Sequence, residues 1–339
     1  MFEDSKVLIT GGTGSLGQAL AKRLLEKNVK TVRILSRNED KQIQMESKFN
    51  DDRLRFLLGD IRDKERLIRA TDDIDYVFHA AALKHVPIVE HNPFEAIQTN
   101  IIGSQNVIDA CLTNKVEKAI CVGTDKAVSP LNTYGATKLL MEKLFVTALH
   151  YSNPKKYPTK FIALRYGNVM GSSGSVIPKF IDQIKNSSTV TITDKEMTRF
   201  SISMEEALDF ILKSSILGQG SEVFVPKLRA YNIMDVKRAL DEIIHPSQEE
   251  VVGIRPGEKL HETLINLDEI NYTWELDGVY LLANPFFPMF SPENIHTIYP
   301  NATKIQLNES YSSDHVKKIP VDELKNIFQS SPILKSKIE

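Results

Sequence analysis

Tyr134 and Lys138 stand four positions apart. The surrounding apolar spacing predicts a helix over 133–149, and on a helix that separation puts phenol and ammonium on one face. A tyrosine with its ordinary pKa near ~10 is a poor base at neutral pH, and a neighbouring ammonium lowers that value by favouring the phenolate. Such a pair can take the proton of a hydroxyl while a hydride leaves the same carbon for a nicotinamide. Upstream, Gly123-Thr124-Asp125-Lys126-Ala127 follows the apolar run 119–122, which predicts a strand. Polar and charged side chains at the C-terminal end of a strand suit chemistry better than a core. Asp125 and Lys126 read as a second acid/base pair that allows a step beyond hydride transfer. A loop-anchoring ion pair is the plainer alternative.

The elements that must position these groups begin at the N-terminus. The run 7–9 predicts a strand, and 15–28 a helix with Leu16, Ala19, Leu20, Leu24 and Leu25 largely on one face. Between them lies Thr10-Gly11-Gly12-Thr13-Gly14-Ser15-Leu16-Gly17. Glycines at 11, 14 and 17 allow a tight turn, close backbone approach to a pyrophosphate, and close helix–strand packing. The helix N-terminus adds free N–H groups and a partial positive charge. A strand before and a helix after give the motif the setting of a dinucleotide-binding fingerprint. The strand predicted at 32–35 ends in Ser36-Arg37-Asn38, where NAD-binding chains usually carry an acid for the ribose 2′-hydroxyl. Arg37 suits a 2′-phosphate, so NADP is expected; on the NAD alternative, Glu39 or Asp40 holds the ribose. Asp60-Ile61, after the strand predicted at 54–58, is placed to contact adenine.

Further strands are predicted at 76–78 and 161–164, and a helix from Pro93 to about Asn114. Repeated βα units imply an α/β fold, a Rossmann-like doubly wound parallel sheet with ligands at the C-terminal ends of its strands. Past 170 the pattern loosens, with helices predicted at 178–186, 204–217 and 235–244 and strands at 189–193 and 222–225. The expected organisation is a nucleotide-binding domain over 1–170 and a smaller α/β substrate-binding lobe over 171–339, with an interdigitated boundary. The Pro-, Asn- and Ser-rich region 284–304 suggests no role. Across 339 residues, 25% charged and 42% hydrophobic side chains describe a folded chain. A net charge of −2 gives no reason to expect nucleic acid or a membrane surface as partner. Cys111 and Cys121 lie in apolar stretches and read as buried thiols. With no basic-then-apolar leader and no bilayer-length apolar run, the expected location is the cytoplasm. His85, His91 and His261 lack metal-ligand spacing, and no metal is expected.

Together the two motifs resemble the extended short-chain dehydrogenases/reductases over about residues 4–265, and Thr124 matches the Ser/Thr that completes that family's triad. Ala80-Ala81-Ala82-Leu83-Lys84-His85-Val86-Pro87, Thr124-Asp125-Lys126-Ala127, Tyr134-Gly135-Ala136-Thr137-Lys138, Arg165-Tyr166-Gly167-Asn168-Val169, Met197-Thr198-Arg199-Phe200 and Arg255-Pro256-Gly257-Glu258-Lys259 then occur in order. That set resembles the inverting UDP-N-acetylglucosamine 4,6-dehydratases, including those that open the pseudaminic-acid pathway. Dehydratases that retain configuration at C5 typically carry Asp-Glu where this chain has Asp125-Lys126. Gly123 departs from the pattern, which often has Ser there.

The resemblance implies an NADP tightly bound and recycled at each turnover, with Thr13, Ser15, Leu16, Lys41, Ala80 and Lys84 joining Gly11, Gly14, Gly17, Ser36, Arg37, Asn38, Asp60, Ile61, Tyr134 and Lys138 around it. It places UDP-N-acetylglucosamine against Lys84, Asn168, Val176, Thr193, Arg199, Arg255 and Glu258, with Arg199 and Arg255 on the diphosphate. Tyr134, assisted by Lys138 and Thr124, would remove the 4-hydroxyl proton. Lys126, its pKa lowered by buried cationic surroundings, would be the base at C5, and Asp125 a protonated acid at the departing 6-hydroxyl. Protonation of C5 on the opposite face then gives the inverted 4-keto-6-deoxy sugar on UDP. A C4 or C5 epimerase, or a dehydratase stopping at the 5,6-ene, is the alternative on this scaffold. A homo-oligomer is implied, with a hexamer as its candidate form. Both ligands are anionic, so the near-neutral balance would conceal a basic cleft.

Overall fold

The computed structural model describes residues 2–150, 153, 156, 158–172 and 175–338. Val7, Leu8 and Ile9 do not alternate with polar residues because both faces of their strand are covered; all three side chains are fully buried. The strand Lys6–Thr10 pairs in parallel with Thr31–Ser36 on one side and Tyr76–His79 on the other. Leu54–Leu58 closes one edge; Lys118–Val122, Lys160–Leu164 and Val223–Pro226 continue the other, all parallel. Val279–Leu282, Thr273–Leu276 and Thr303–Lys304 then add antiparallel. Among the described residues this sheet has ten strands. Strand order reverses between Lys6–Thr10 and Tyr76–His79, the switch point where doubly wound sheets bind ligands. The Rossmann-like architecture is as the sequence implies.

The amphipathic helix Ser15–Glu26 buries Leu20, Ala21, Leu24 and Leu25 against this sheet, and Thr133–Thr147 buries Met141, Phe145 and Val146. One predicted helix differs. The segment expected to run evenly from Pro93 to about Asn114 is α-helical over Pro93–Ala96 and Gly103–Thr113, with a π-helical turn over Ile97–Ile102 between them. The wide turn brings Asn100 inward. Its amide accepts from Leu83 N at 2.8 Å and donates to Leu83 O and Thr137 Oγ1, both at 3.0 Å. A polar side chain so fully bonded inside the core is the gain that offsets the irregular turn.

The chain beyond 170 returns repeatedly to the main sheet, which therefore draws strands from both sides of that position. Smaller sheets cover its carboxyl edge: Thr198–Ile202 lies between Asn168–Val169 and Arg229–Asn232, and Thr263–Ile265 pairs with Tyr311–Ser312. Region 284–304 is structural. Phe290, Ile295, Tyr299 and Ala302 pack into the core containing Trp274 and Leu281, and Tyr299 Oη donates to buried Glu222 at 2.5 Å. Cys111 and Cys121 are both buried and free. Among the described residues no helix is long and apolar enough to cross a membrane.

Candidate active site

At the first strand's end, Gly11 adopts φ +69°, and a Cβ there would sit 2.8 Å from the Ala81 backbone. Only glycine holds this turn comfortably. Gly14 caps the helix Ser15–Glu26 with no side-chain hydrogen bond and no acidic residue in the first turn. The first N–H groups of that helix are thus left for an anion. The residues present fit a dinucleotide pyrophosphate.

At the second strand's end, Arg37 extends with 54% of its side chain exposed, 3.6 Å from Asp60 Oδ2. The neighbouring polar groups are engaged locally. Asn38 Oδ1 caps the next helix by accepting from Lys41 N at 2.8 Å, and Ser36 Oγ accepts from Gln42 Nε2 at 3.0 Å. Asp60 holds Arg62 through two contacts of 2.7 and 3.0 Å. Ile61 is buried, packed where a Cβ on Gly103 would lie 2.7 Å from it. Ala80 N donates to Thr10 O at 3.2 Å, which seats the Ala80–Lys84 residues beside the glycine turn.

The strand Lys118–Val122 runs into Thr124 and a single 3-10 turn, Asp125–Ala127. Two glycines allow close packing here: a Cβ on Gly135 would overlap the Lys126 carbonyl oxygen, and one on Gly123 the Leu164 carbonyl oxygen. The departure at Gly123 is therefore a packing requirement of this chain. The first turn of Thr133–Thr147 consequently sits on the Asp125–Ala127 turn and brings Tyr134 to Thr124. Thr124 Oγ1 donates to Asp125 Oδ1 at 2.9 Å. Lys126 Nζ donates to Asp125 Oδ1 at 3.0 Å and Asn168 Oδ1 at 3.3 Å, and lies 3.3 Å from Glu262 Oε1.

Two electrostatic expectations are overturned. Burial would lower the Lys126 pKa, but Asp125 and Glu262 outweigh it and raise the value above the ordinary lysine range. Lys126 lies between the acidic groups of Asp125 and Glu262, which outweigh the nearby Arg199. Tyr134 is not lowered either: burial pushes it up to about 12, with the Lys126 charge opposing. The Lys138 ammonium donates to Val122 O at 2.7 Å and Met141 Sδ at 3.2 Å, and burial lowers its own pKa. Asp125 is fully buried, and burial raises its pKa first of all, with Lys126 opposing.

Sequence reasoning missed Glu262. It lies three residues past the Arg255–Lys259 motif, and an acid standing directly before the apolar strand Thr263–Ile265 was the available signal. Its N–H donates to Ser313 Oγ at 2.9 Å, and Ser313 N donates back to Glu262 O at 2.8 Å. A second correction concerns Arg199. Its guanidinium is buried and donates to Thr198 O, Leu260 O and Lys259 O at 2.7, 3.0 and 2.9 Å, with Glu258 Oε1 at 3.4 Å and Glu262 Oε1 at 3.9 Å. Few donors remain for a diphosphate; Arg199 instead fastens the segment that presents Glu258 and Glu262. Arg255 is exposed and close enough to Lys179 to lower its pKa after burial does. Val176 opens the helix Val176–Ser187, Thr193 Oγ1 donates to Met197 Sδ at 3.3 Å, and Lys84 is exposed.

Comparison with known proteins gives these features a family. The profile of a family described as polysaccharide biosynthesis protein matches residues 7–284. A Campylobacter jejuni UDP-N-acetylglucosamine 4,6-dehydratase (inverting) is 45% identical, covering 93% of this chain and 94% of its own. A Rickettsia bellii UDP-glucose 4-epimerase is 41% identical, covering 97% and 96%. The solved structure of Pen from Bacillus thuringiensis superposes with a TM-score of 0.89 at 37% identity, covering 98% and 99% of the two chains. The chain belongs to the polysaccharide biosynthesis protein family within the extended short-chain dehydrogenases/reductases, and is an enzyme of their sugar-nucleotide dehydratase/epimerase group.

Proposed function

We propose that this enzyme is an inverting UDP-N-acetylglucosamine 4,6-dehydratase that uses NADP and forms UDP-2-acetamido-2,6-dideoxy-β-L-arabino-hexos-4-ulose. One observation carries the reading: the Asp125–Lys126–Glu262 cluster, its two carboxyl groups buried and its ammonium partly exposed, is bonded directly to the Thr124 hydroxyl beside Tyr134. A C4 epimerase moves only a hydroxyl proton and a hydride and has no use for a second buried acid/base set. It stands as the second reading because the Rickettsia relative bears that name.

NADP, when bound, would supply the reversible hydride acceptor, taking hydride from C4 and returning it to C6. The chain's own side chains do the rest. Gly11, Thr13, Gly14, Ser15, Leu16 and Gly17 cradle the pyrophosphate, and Arg37 with Lys41 meets the 2′-phosphate. Tyr134, positioned with Thr124, takes the 4-hydroxyl proton, and Lys138 supports the ribose side. The new ketone acidifies the C5 proton. Lys126 takes that proton after losing its own, and Asp125, which burial favours as the acid, gives its proton to the 6-hydroxyl so that water leaves. Asn168, Val176, Thr193, Glu258 and Lys84 bind the sugar nucleotide, with Arg255 at the diphosphate.

NMR of the product from UDP-N-acetylglucosamine tests the reading: a 4-keto-6-deoxy sugar supports it, and a C4 epimer or an exocyclic alkene rejects it. Fluorescence titration tests the cofactor, with tighter NAD than NADP binding ruling out the Arg37 assignment. We also propose a cytoplasmic homo-oligomer, hexameric in form. The support is a set of exposed apolar side chains, Ile88, Phe94, Ile97, Ile102, Leu131 and Leu140; light scattering that finds only monomer rejects it.

A further inference from the structure

The proposed reaction needs Lys126 as a base, yet its contacts with Asp125 and Glu262 favour the ammonium form. Its proton must go somewhere before C5 can lose one. Six ionisable groups face it: Asp125, Tyr134, Glu262, Arg199, Lys259 and Tyr231. Tyr134 already carries the proton it took from the 4-hydroxyl, burial keeps the Tyr231 phenol protonated, Arg199 is a cation, the Lys259 amino group donates to Val128 O, and Asp125 is the proposed acid at the 6-hydroxyl. Glu262 is left. Its Oε1 lies 3.3 Å from Lys126 Nζ, its side chain is buried, and its Oε2 is buried with no hydrogen-bond partner. Lys126, Arg199 and Lys259 all face it, and together they outweigh burial and keep it ionised. Two hydrogen bonds fix its position, from its N–H to the Ser313 hydroxyl and from Ser313 N–H to its carbonyl oxygen.

Resting on the dehydratase reading, we propose that Glu262 is the positioning residue that receives the Lys126 proton and so arms the base at C5. The step balances without a co-reactant. The Lys126 Nζ–H bond breaks as a Glu262 carboxyl O–H bond forms, and an ammonium–carboxylate pair becomes an amine–carboxylic acid pair. The Lys126 lone pair then takes the C5 proton, and the C–H electron pair passes into the enolate of the 4-ketone. The net charge of the pair is unchanged, but Glu262 is left neutral beside the forming enolate, where a carboxylate would repel it.

The test is solvent deuterium exchange at C5 of the enzyme-bound sugar, followed from pH 6 to about 8.5. For the wild-type holoenzyme the internal transfer makes the exchange rate flat across that range. Glu262→Gln keeps the shape and can still accept a hydrogen bond, but it cannot accept the proton. Its exchange is expected to fall roughly 100-fold at neutral pH and to rise about tenfold per pH unit as Lys126 loses its proton to solvent. Glu262→Asp, which keeps the acceptor, is expected to restore the flat profile at a reduced rate. A merely structural role lowers the rate equally at every pH, so a flat Glu262→Gln profile at any level overturns the proposal, as does a sloped Glu262→Asp profile. A wild-type enzyme with no exchange at C5 and no dehydrated product removes the dehydratase reading itself, an outcome distinct from either variant result.

Discussion

Two ion clusters touch the helix Thr133–Thr147, one at Glu142 and one beside Tyr134, and they are built differently. In one, the fully buried Arg165 donates to both oxygens of Glu142, at 2.7 Å each, and to both oxygens of Glu269, at 2.7 and 2.8 Å. Glu269 Oε2 also accepts from Asn266 N at 3.1 Å. Every carboxylate oxygen has a partner. In the other, Lys126 meets Asp125 and Glu262, but Asp125 Oδ2 and Glu262 Oε2 are buried with none. Closed bonding of this kind is how a charge becomes tolerable in a core, whereas leaving a buried acceptor unpaired costs about 1–3 kcal/mol each. The first cluster fastens the helix Thr133–Thr147 to the short helix Leu267–Ile270. The second keeps acceptors open, as a site that must receive hydroxyl or amide donors requires.

This contrast can be broken by substitution. Asp125→Asn removes the proposed acid and is expected to lower dehydratase turnover about 10²- to 10⁴-fold. Its urea midpoint should stay near that of the wild type, because the amide oxygen can still accept from Thr124 and Lys126. Equal turnover in the two proteins would mean that the open cluster is only an anchor. Arg165→Met is the converse: two buried carboxylates lose their partner, and unfolding free energy should drop by about 3–5 kcal/mol. A drop under ~1 kcal/mol would deny the closed cluster its structural role.

His79 extends the closed class to a single ring, with Nδ1 2.7 Å from Thr10 Oγ1 and Nε2 2.9 Å from Ser104 Oγ. Burial, then the Lys138 charge, lowers its pKa from 6.5 to about 3. A depressed histidine contributes stability that is complete above its unfolded value and fades as pH falls toward the folded one. Between pH 7.5 and pH 5 the wild type should lose about 2 kcal/mol that His79→Gln does not lose; identical losses would exonerate the ring. The smallest effect sets the scale. Ser203→Ala removes the capping box that Ser203 and Glu206 form at the start of Met204–Leu217. About 1 kcal/mol of stability should go, with turnover unchanged.

The sheet and the glycine turn were legible because buried parallel strands write themselves as unbroken apolar runs and the anion turn as glycine spacing. Helix 204–217 was legible to the residue. The π-helical turn was not, because its cause is the tertiary bonding of Asn100 to Leu83 and Thr137, residues distant in sequence. The same holds at the site. Residue types and local spacing marked Thr124, Asp125, Lys126, Tyr134 and Lys138, but the charge state of Lys126 depends on Glu262, 136 positions further along. Arg199 looked like an anion ligand until the backbone carbonyls that use its donors were in view.

The account stands or falls on the open cluster doing chemistry at C5. The direct measurement is NMR of the product formed from UDP-N-acetylglucosamine in deuterated water. It predicts a 4-keto-6-deoxy sugar of L-arabino configuration carrying deuterium at C5. A product epimerised at C4 with its C5 hydrogen intact would contradict it.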